Sequence, residues 1–361
     1  MKIIMAGGGT GGHLFPALAL AEAFKDREPK NEILFVGSRK GLEASIVTRE
    51  GYPFKTIEVV SLKGRTFGEK IRGLLALPRS LGQSWRLIHS FRPDLVLGVG
   101  GYASGPVVLT AWAMGYRTAI HEQNAFPGLS NRILGKFVDR AFLSFAGSAR
   151  HFPQQTAILT GNPVRRRMRQ KEPMKKRGPE SKFTLFIFGG SQGAHRLNQA
   201  MEEALIHLRE LKGRLRIIHQ TGDKDYTEVQ EAYRREGFEA EVYPFIHEMD
   251  RAYAAADLVL CRAGATTLFE LMAMGKPAIV VPYPYAANDH QTLNAKTLVD
   301  AGAALMVVNG DLSGVQLSRI LCQLSADPAR LKEMEERAAA LAKPEAAERI
   351  VNLCYEMVGH A

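Results

Sequence analysis

The chain of 361 residues is long enough for two or three domains, and its 46% hydrophobic and 23% charged residues are ordinary globular usage, which excludes a disordered or fibrous protein. Its three scattered cysteines exclude a disulfide framework and a paired-cysteine metal or redox site. We expect no secretory signal, because glycine follows the first six residues at once. No apolar run approaches the ~18 residues of a membrane span.

The charge is unevenly distributed along the chain. The 47 basic and 37 acidic residues give a formal net charge of +10. Residues 1–163 carry 20 Lys and Arg against 11 Asp and Glu, residues 164–177 carry eight against one, and residues 178–361 carry 19 against 25. The excess therefore belongs to the first half and a short connector. It indicates an anionic partner, which can be phosphate groups, a lipid surface or nucleic acid.

The predicted elements alternate between strand and helix in two similar halves. A strand over Lys2–Ala6 precedes a glycine-rich loop at residues 7–12 and a helix at 14–24, and further strands are predicted at 33–37, 94–99, 118–121, 141–145 and 157–160. The second half repeats this order with a strand over Phe183–Phe188, a loop at 189–193 and a helix at 197–211, and further strands at 215–219, 241–243, 258–261, 278–281 and 304–308. This alternation predicts the α/β class, with two doubly wound parallel sheets facing across a cleft.

The composition between the halves predicts the domain boundaries. We expect a first domain over residues 1–163, a basic linker over 164–180, a second domain over 181–340 and a C-terminal helix within 341–361 that packs back on the first domain.

The first glycine loop has the spacing Gly7-x-Gly9-x-x-Gly12, which matches the dinucleotide fingerprint between a strand and a helix. The acidic residue that would hold a ribose is absent after the second strand, whereas Arg39 there leaves an NADP site open. A plain strand–helix turn is the alternative. His13 follows in the first helical turn, where the helix N-terminus favours a neutral imidazole, so it is either a general base or a structural histidine.

The second half contains further candidates for binding a nucleotide. Ser191 adds a hydroxyl to the second glycine loop, and Arg262 can neutralise phosphate charge. Residues 265–267 open a helix whose first N–H groups suit an anion, and Glu270 can accept the hydroxyls of a ribose. Polar clusters at residues 121–124 and 285–291 follow buried strands and suit a sugar.

Basic and apolar residues alternate at helical spacing over residues 63–92, which include a tryptophan. This pattern suits an anionic bilayer surface, and a core-packing helix with a solvated basic face is the alternative. Nucleic acid is a third reading, without a recognition motif to support it. The zinc, P-loop and nucleophile-elbow signatures are absent from the sequence.

Five ordered motifs together resemble the MurG family of bacterial glycosyltransferases. They are residues 7–13 with Pro16, 121–124, 161–165, 189–193 and 262–270. The resemblance spans the chain and implies the GT-B fold, with an acceptor- and membrane-facing first domain and a UDP-sugar-binding second domain. It also implies inverting transfer of N-acetylglucosamine from UDP-GlcNAc to the C4 hydroxyl of the undecaprenyl-diphosphate-linked muramoyl-pentapeptide in peptidoglycan synthesis. The implied enzyme is peripheral at the cytoplasmic face of the membrane, needs no cofactor or active-site metal, contacts the anionic membrane surface and binds no nucleic acid.

The resemblance also implies roles for individual residues. From the residues themselves we expect His13 to be the general base, with Glu122 as the next candidate, and we expect helix N-terminal N–H groups and Arg262 to meet the charge of the leaving group. The resemblance places Thr10, Gly11 and Gly12 near the reacting centre, and Asn124, Arg165 and Gln291 at the donor sugar. It places Ser191 and the helix opening at Ala265, Thr266 and Thr267 at the diphosphate, with Leu268 and Phe269 next in that helix. Ile246 would contact the uracil, and Glu270 would contact the ribose.

Two other classes of function compete with this one. An NADP-dependent oxidoreductase would explain the first glycine loop and Arg39, and leaves the second loop and Glu270 without a role. A non-enzymatic binder of anionic lipid or nucleic acid would explain the charge alone.

Overall fold

The computed structural model describes residues 1–9, 11–38, 43–59, 67–169 and 181–359, with the backbone alone over 67–76. The chain divides into two compact units. Unit 1 comprises Met1–Arg166 and Pro344–Ala361, and unit 2 comprises Arg167–Lys343. Most of the linker predicted at 164–180, together with Thr10 and Arg39, lies outside the described residues.

Unit 1 is built on a seven-stranded sheet in which every neighbouring pair is parallel. Its strands are β1 (Lys2–Ala6), β2 (Glu32–Ser38), β3 (Phe54–Ile57), β4 (Leu95–Gly98), β5 (Arg117–Glu122), β6 (Arg140–Leu143) and β7 (Ala157–Leu159). The order across the sheet is β3-β2-β1-β4-β5-β6-β7. The central strand β4 and residues 3–6 of β1 are apolar and buried, as expected of strands covered on both faces.

Helices cover both faces of this sheet, so that unit 1 has a separate apolar core on each side. They are α1 (Gly11–Arg27), α2 (Glu43–Arg49), α3 (Phe67–Phe91), α4 (Ser104–Ala113), α5 (Leu129–Leu134), a 3₁₀ helix (Ala146–His151) and α6 (Arg166–Arg169), which crosses the boundary between the units.

Unit 2 contains a six-stranded parallel sheet. Its strands are β8 (Phe183–Phe188), β9 (Leu215–Gln220), β10 (Glu239–Tyr243), β11 (Leu258–Arg262), β12 (Ala278–Val281) and β13 (Ala304–Met306), in the order β10-β9-β8-β11-β12-β13. Its helices are α7 (His195–Leu205), α8 (Tyr226–Glu236), α9 (Met249–Ala255), α10 (Ala265–Met274), α11 (His290–Asp300), α12 (Gly314–Ser325) and α13 (Pro328–Ala340), with 3₁₀ turns at Arg209–Leu211 and Ala287–Asp289.

The last helix, α14 (Ala346–Met357), returns to unit 1 and packs against α1. The Tyr355 ring stacks on Phe24 with 6.3 Å between centroids. The side-chain amide of Asn31 donates to the Tyr355 hydroxyl at 2.9 Å. Ile350 is fully buried, so this helix completes one of the two cores.

The α/β class and all twelve predicted strands are confirmed, and one strand among the described residues was missed. The missed strand, β3, lies at the sheet edge and exposes Lys55 and Thr56, so it lacks the apolar run that marks the central strands. The helix predicted over 197–211 was wrong in its length. Its α-helical part ends at Leu205. Hydrogen bonds of the 3₁₀ type follow, in which an N–H bonds to the carbonyl three residues earlier, such as Leu208 N–H to the Leu205 carbonyl.

Within the described part of the chain, no helix combines the length and the apolar character that crossing a bilayer would require.

Candidate functional site

The two glycine loops lie at the points where the strand order of each sheet reverses. In unit 1 the chain crosses from β1 to β2 on one side, while β4 pairs with β1 on the other, and unit 2 repeats this arrangement around β8. Ligands of doubly wound sheets bind outside the carboxyl ends of the strands at this point. Each unit therefore has a candidate site at its glycine loop.

The first loop packs closely on the loop after β4. The Gly8 N–H donates to the Gly100 carbonyl at 3.3 Å. Gly101 has a φ of +83°, and a Cβ there would overlap the Gly8 carbonyl oxygen. The Glu43 carboxylate accepts from the Gly9 N–H. The structure places Gly11 and Gly12 in the first turn of α1, while Thr10 lies outside the described residues.

His13, in the same turn, is half-buried and belongs to a chain of polar contacts. Its Nδ1 lies 3.0 Å from Gln123 Oε1. Gln123 Nε2 lies 3.0 Å from His121 Nδ1 and donates to the Val99 carbonyl at 2.9 Å. Burial lowers the pKa of His121 to about 4, so it is neutral near pH 7. The structure thus brings the glycine loop together with the polar cluster after β5.

Glu122, named as the alternative base, is buried and engaged in holding this cluster. Its Oε1 accepts from the Asn124 backbone N–H at 2.9 Å and from the Asn124 side-chain amide at 3.2 Å. Its Oε2 accepts from the Gly128 N–H at 3.0 Å and from the Asn131 side-chain amide at 2.9 Å. The carboxylate therefore shapes the loop that carries Asn124.

Arg165 lies in unit 1 and is almost fully buried. Its guanidinium lies 4.6 Å from the centroid of the Phe15 ring, which packs beside Gly11. Arg165 thus reaches the first turns of α1 through a cation–π contact. A direct contact between Arg165 and the sugar-donor substrate stays a prediction.

The second loop follows β8 and is tied to the loop after β10 by Gln220. This buried side chain donates to the Gly190 carbonyl at 2.8 Å and accepts from the Ile246 N–H at 2.7 Å. Ser191 is half-buried in the loop. Because the Ile246 N–H already donates to Gln220, the Ile246 carbonyl is the backbone group that can contact a nucleobase.

The start of α10 presents the second anion-binding feature of unit 2. Gly264 precedes the helix and has no side chain to cap it, and the helical ladder begins with the Leu268 N–H bonded to the Gly264 carbonyl at 3.0 Å. The N–H groups of residues 265–267 point out of this helix end, which is where anions bind. The Leu268 and Phe269 side chains are buried in the core, so a ligand contact there would involve backbone.

Glu270 lies one turn further and is 7% exposed. Its Oε2 accepts from the Tyr253 hydroxyl at 3.1 Å. Tyr253 is itself fully buried and packs edge-on against Phe186 and Phe188. The aromatic cluster therefore holds this carboxylate in place in the second turn of α10.

Arg262, predicted to neutralise phosphate, is directed largely towards protein. Its Nη1 donates to the Val281 and Pro282 carbonyls at 3.2 and 3.3 Å and to Asn309 at 2.8 Å. Burial lowers the pKa of Arg262 to about 10, which leaves it charged near pH 7. Its role towards a leaving group stays a prediction.

Gln291 lies at the start of α11, and its Oε1 accepts from the Tyr283 N–H at 2.8 Å. The loop before it contains Asn288 and Asp289, both with positive φ. Two non-glycine residues in this conformation indicate a constrained loop. The structure therefore places Gln291 beside the end of β12. Its side-chain oxygen is bonded to Tyr283, so its amide nitrogen is the end of the side chain that can face a ligand.

Three supporting residues were missed or named only as members of a cluster. They are Gln123, Gln220 and Tyr253. Gln220 comes directly after a predicted strand, and this position was the available signal. The pairing of Tyr253 with Glu270 depends on the tertiary fold and has no local signal.

No group of three or more His, Cys, Asp or Glu side chains is arranged to hold a metal ion among the residues for which the structure gives side chains.

Comparison with known families matches nearly the whole chain. The glycosyltransferase family 28 N-terminal domain matches residues 3–143, and the family 28 C-terminal domain matches residues 184–350. A crystal structure of MurG from Acinetobacter baumannii superposes with a TM-score of 0.78 at 30% identity, covering 98% of this chain and 99% of that one.

Curated relatives extend this similarity. A protein of Anaeromyxobacter dehalogenans is 50% identical over 99% of this chain and 93% of its own length. One of Syntrophus aciditrophicus is 49% identical over 99% of both chains. Both are named UDP-N-acetylglucosamine–N-acetylmuramyl-(pentapeptide) pyrophosphoryl-undecaprenol N-acetylglucosamine transferase. The chain belongs to glycosyltransferase family 28 and, within it, to the MurG family.

Proposed function

We infer that this chain transfers N-acetylglucosamine from UDP-GlcNAc to the C4 hydroxyl of undecaprenyl-diphosphate-linked N-acetylmuramoyl-pentapeptide, with inversion. The observation that carries this inference is the identity of about half of all residues, over 99% of the chain, with transferases named for this donor and acceptor. The oxidoreductase alternative has no support among these relatives.

The geometry of unit 2 supports donor binding there. A UDP-sugar has a diphosphate, a ribose and a base to be held. The loop at Ser191 and the start of α10 offer N–H groups for the diphosphate, and these groups stabilise the charge that develops as UDP leaves. Glu270 offers a fixed carboxylate for the ribose, and the Ile246 carbonyl is offered to the uracil. Asn124, Arg165 and Gln291 are assigned to the donor sugar.

Unit 1 supports activation of the acceptor. His13 begins α1 beside the glycine loop, with its ring held by Gln123. We assign it as the general base that takes the proton of the attacking hydroxyl. A base of this kind takes the hydroxyl proton on an unprotonated ring nitrogen.

Exposed apolar side chains on unit 1 support contact with a membrane surface. Trp112 and Phe137 touch with 4.8 Å between ring centroids, and they are 43% and 38% exposed. Ile133 and Leu129 lie on the same helix, α5, and are also exposed. Lys136 adds a cation next to them. We call Trp112, Leu129, Ile133, Lys136 and Phe137 the apolar patch.

The helix α3, which contains most of the predicted basic stretch at residues 63–92, packs against α4, the helix that carries Trp112 of the apolar patch. Residues 63–66 and the side chains of 67–76 lie outside the described part, while Leu77 and Trp85 of α3 are exposed. Exposed tryptophan among cations is typical of surfaces that adsorb to anionic lipid. We propose that unit 1 binds the membrane peripherally through this surface, at the cytoplasmic face.

The transfer assay tests the function directly. The purified chain should move labelled GlcNAc from UDP-GlcNAc to a lipid-diphosphate muramoyl acceptor. The His13→Ala variant should lower turnover by about 10²–10⁴-fold, the usual contribution of a positioned base, while its affinity for UDP stays unchanged. Absence of transfer by the wild-type chain would contradict the function, and wild-type turnover in His13→Ala would contradict the base assignment.

The ribose role of Glu270 is tested by titration with UDP. Glu270→Gln keeps the shape of the side chain and removes the charge that strengthens its hydrogen bonds. We expect UDP affinity to fall by about tenfold in calorimetry. Glu333→Ala, an exposed carboxylate on α13, is the control and should bind as the wild type does. Unchanged UDP affinity in Glu270→Gln would refute the assignment.

Membrane contact is tested by sedimentation with vesicles that contain phosphatidylglycerol. The double variant Ile133→Ser with Phe137→Ser removes two apolar anchors, so we expect binding to weaken by about tenfold or more. Val315→Ser changes an exposed apolar residue of unit 2 and should bind normally. Equal binding by all three proteins would rule out the apolar patch as the membrane surface.

A further inference from the structure

The side chain of Gln123 joins two histidines beneath the first glycine loop. It is 1% exposed. Its Oε1 lies 3.0 Å from His13 Nδ1, and its Nε2 lies 3.0 Å from His121 Nδ1. Each contact joins one end of the amide to one imidazole ring, so the orientation of the amide decides which ring nitrogens carry hydrogen.

The Val99 carbonyl fixes that orientation. A backbone carbonyl can only accept a hydrogen bond, and Gln123 lies 2.9 Å from it. The group that faces Val99 must therefore be the NH₂ end of the amide. The oxygen consequently faces His13. Because an amide oxygen can only accept, Nδ1 of His13 must be the donor.

The second histidine agrees with this assignment from the other side. His121 is fully buried and neutral, so one of its ring nitrogens carries hydrogen and the other accepts. Its Nδ1 accepts from Gln123, which places the hydrogen on Nε2. That nitrogen faces the Gly161 carbonyl at 3.4 Å and the Ser144 hydroxyl at 3.3 Å, and both oxygens can accept. Donors and acceptors therefore match along the whole chain from Gly161 to His13.

We propose that Gln123 is a positioning residue that holds His13 as the Nδ1–H tautomer, so that the lone pair of Nε2 is presented to the acceptor hydroxyl. This inference rests on the assignment of His13 as the general base. The ring also packs against Gly100, where a Cβ would overlap Nδ1 and Cε1. Ring orientation and tautomer are thus fixed by two neighbouring elements, the loop after β4 and the cluster after β5.

The chemical step balances with this tautomer. Nε2 takes the hydroxyl proton while the oxygen forms its bond to the anomeric carbon. The bond from that carbon to the diphosphate breaks, and its electron pair leaves with UDP. The resulting imidazolium keeps its Nδ1–H bond to Gln123, which becomes a charge-assisted bond and is therefore stronger. The opposite tautomer would present a hydrogen to the acceptor and could not take its proton.

The tautomer is read directly by ¹⁵N NMR of the histidine rings in the wild-type chain, without any substitution that affects folding. The His13→Ala spectrum identifies the His13 signals among those of the ten histidines. We expect Nδ1 to carry the hydrogen and Nε2 to have the shift of an unprotonated nitrogen. A hydrogen on Nε2 in the neutral ring would overturn the proposal.

Gln123→Met then tests the dependence on Gln123, because methionine fills a similar volume and accepts almost no hydrogen bond. We expect His13 to become a mixture of tautomers and kcat to fall by about tenfold, the equivalent of one hydrogen bond, with the KM for UDP-GlcNAc unchanged. Gln154→Met, at an exposed position of unit 1, should alter neither the spectrum nor kcat.

The outcomes separate this proposal from the function on which it rests. An unchanged His13 tautomer in Gln123→Met, or mixed tautomers with an unchanged kcat, would overturn the positioning role. If the wild-type tautomer is as expected but His13→Ala keeps full turnover, the general-base assignment fails. If His13→Ala abolishes turnover and Gln123→Met shifts both tautomer and kcat, both assignments are supported.

Discussion

Both candidate sites depend on a close approach between two backbone loops that only glycine allows. In unit 1, a Cβ on Gly101 would overlap the carbonyl of Gly8. In unit 2, a Cβ on Gly193 would overlap the carbonyl of Thr221. The partner loops differ, since the first follows β4 and the second follows β9. In each case the contact fixes the loop after the first strand of the sheet, and with it the start of the following helix.

A buried histidine belongs to the hydrogen-bond network that holds each of these loops. His121 links the first loop to Gly161 through Gln123. His219 lies 2.8 Å from the Tyr233 hydroxyl and 3.0 Å from Asn198, and burial lowers its pKa to about 3. Asn198 in turn donates to the Thr221 carbonyl at 2.9 Å, the same carbonyl on which Gly193 packs. Fully paired polar networks of this kind hold one arrangement of the core, which is what a preorganised site requires.

The sequence was a good guide to elements whose pattern is local. Continuous apolar runs located the central strands, and their glycine-rich ends located both loops, because parallel sheets gather such ends at one edge. The edge strand β3 was missed because Lys55 and Thr56 interrupt its apolar run. The roles of Gln123, Gln220 and Tyr253 could not be read locally, since each depends on partners brought together by the fold. His13 and Gln123, for example, are 110 positions apart. The contacts of Glu122 with the loop that carries Asn124, and of Arg262 with the end of β12, could not be read from the sequence either.

We infer that the contact at Gly101 holds the first loop and His13 in the geometry that transfer requires. The most direct measurement is the GlcNAc transfer rate of Gly101→Ala, compared with Gly105→Ala in α4, where an added Cβ meets open space. We expect Gly101→Ala to lower the rate by at least about tenfold, because the backbone at this position is left-handed and the added Cβ displaces the loop, while UDP affinity and the Gly105→Ala rate stay at wild-type values. A wild-type transfer rate in a folded Gly101→Ala protein would contradict this inference.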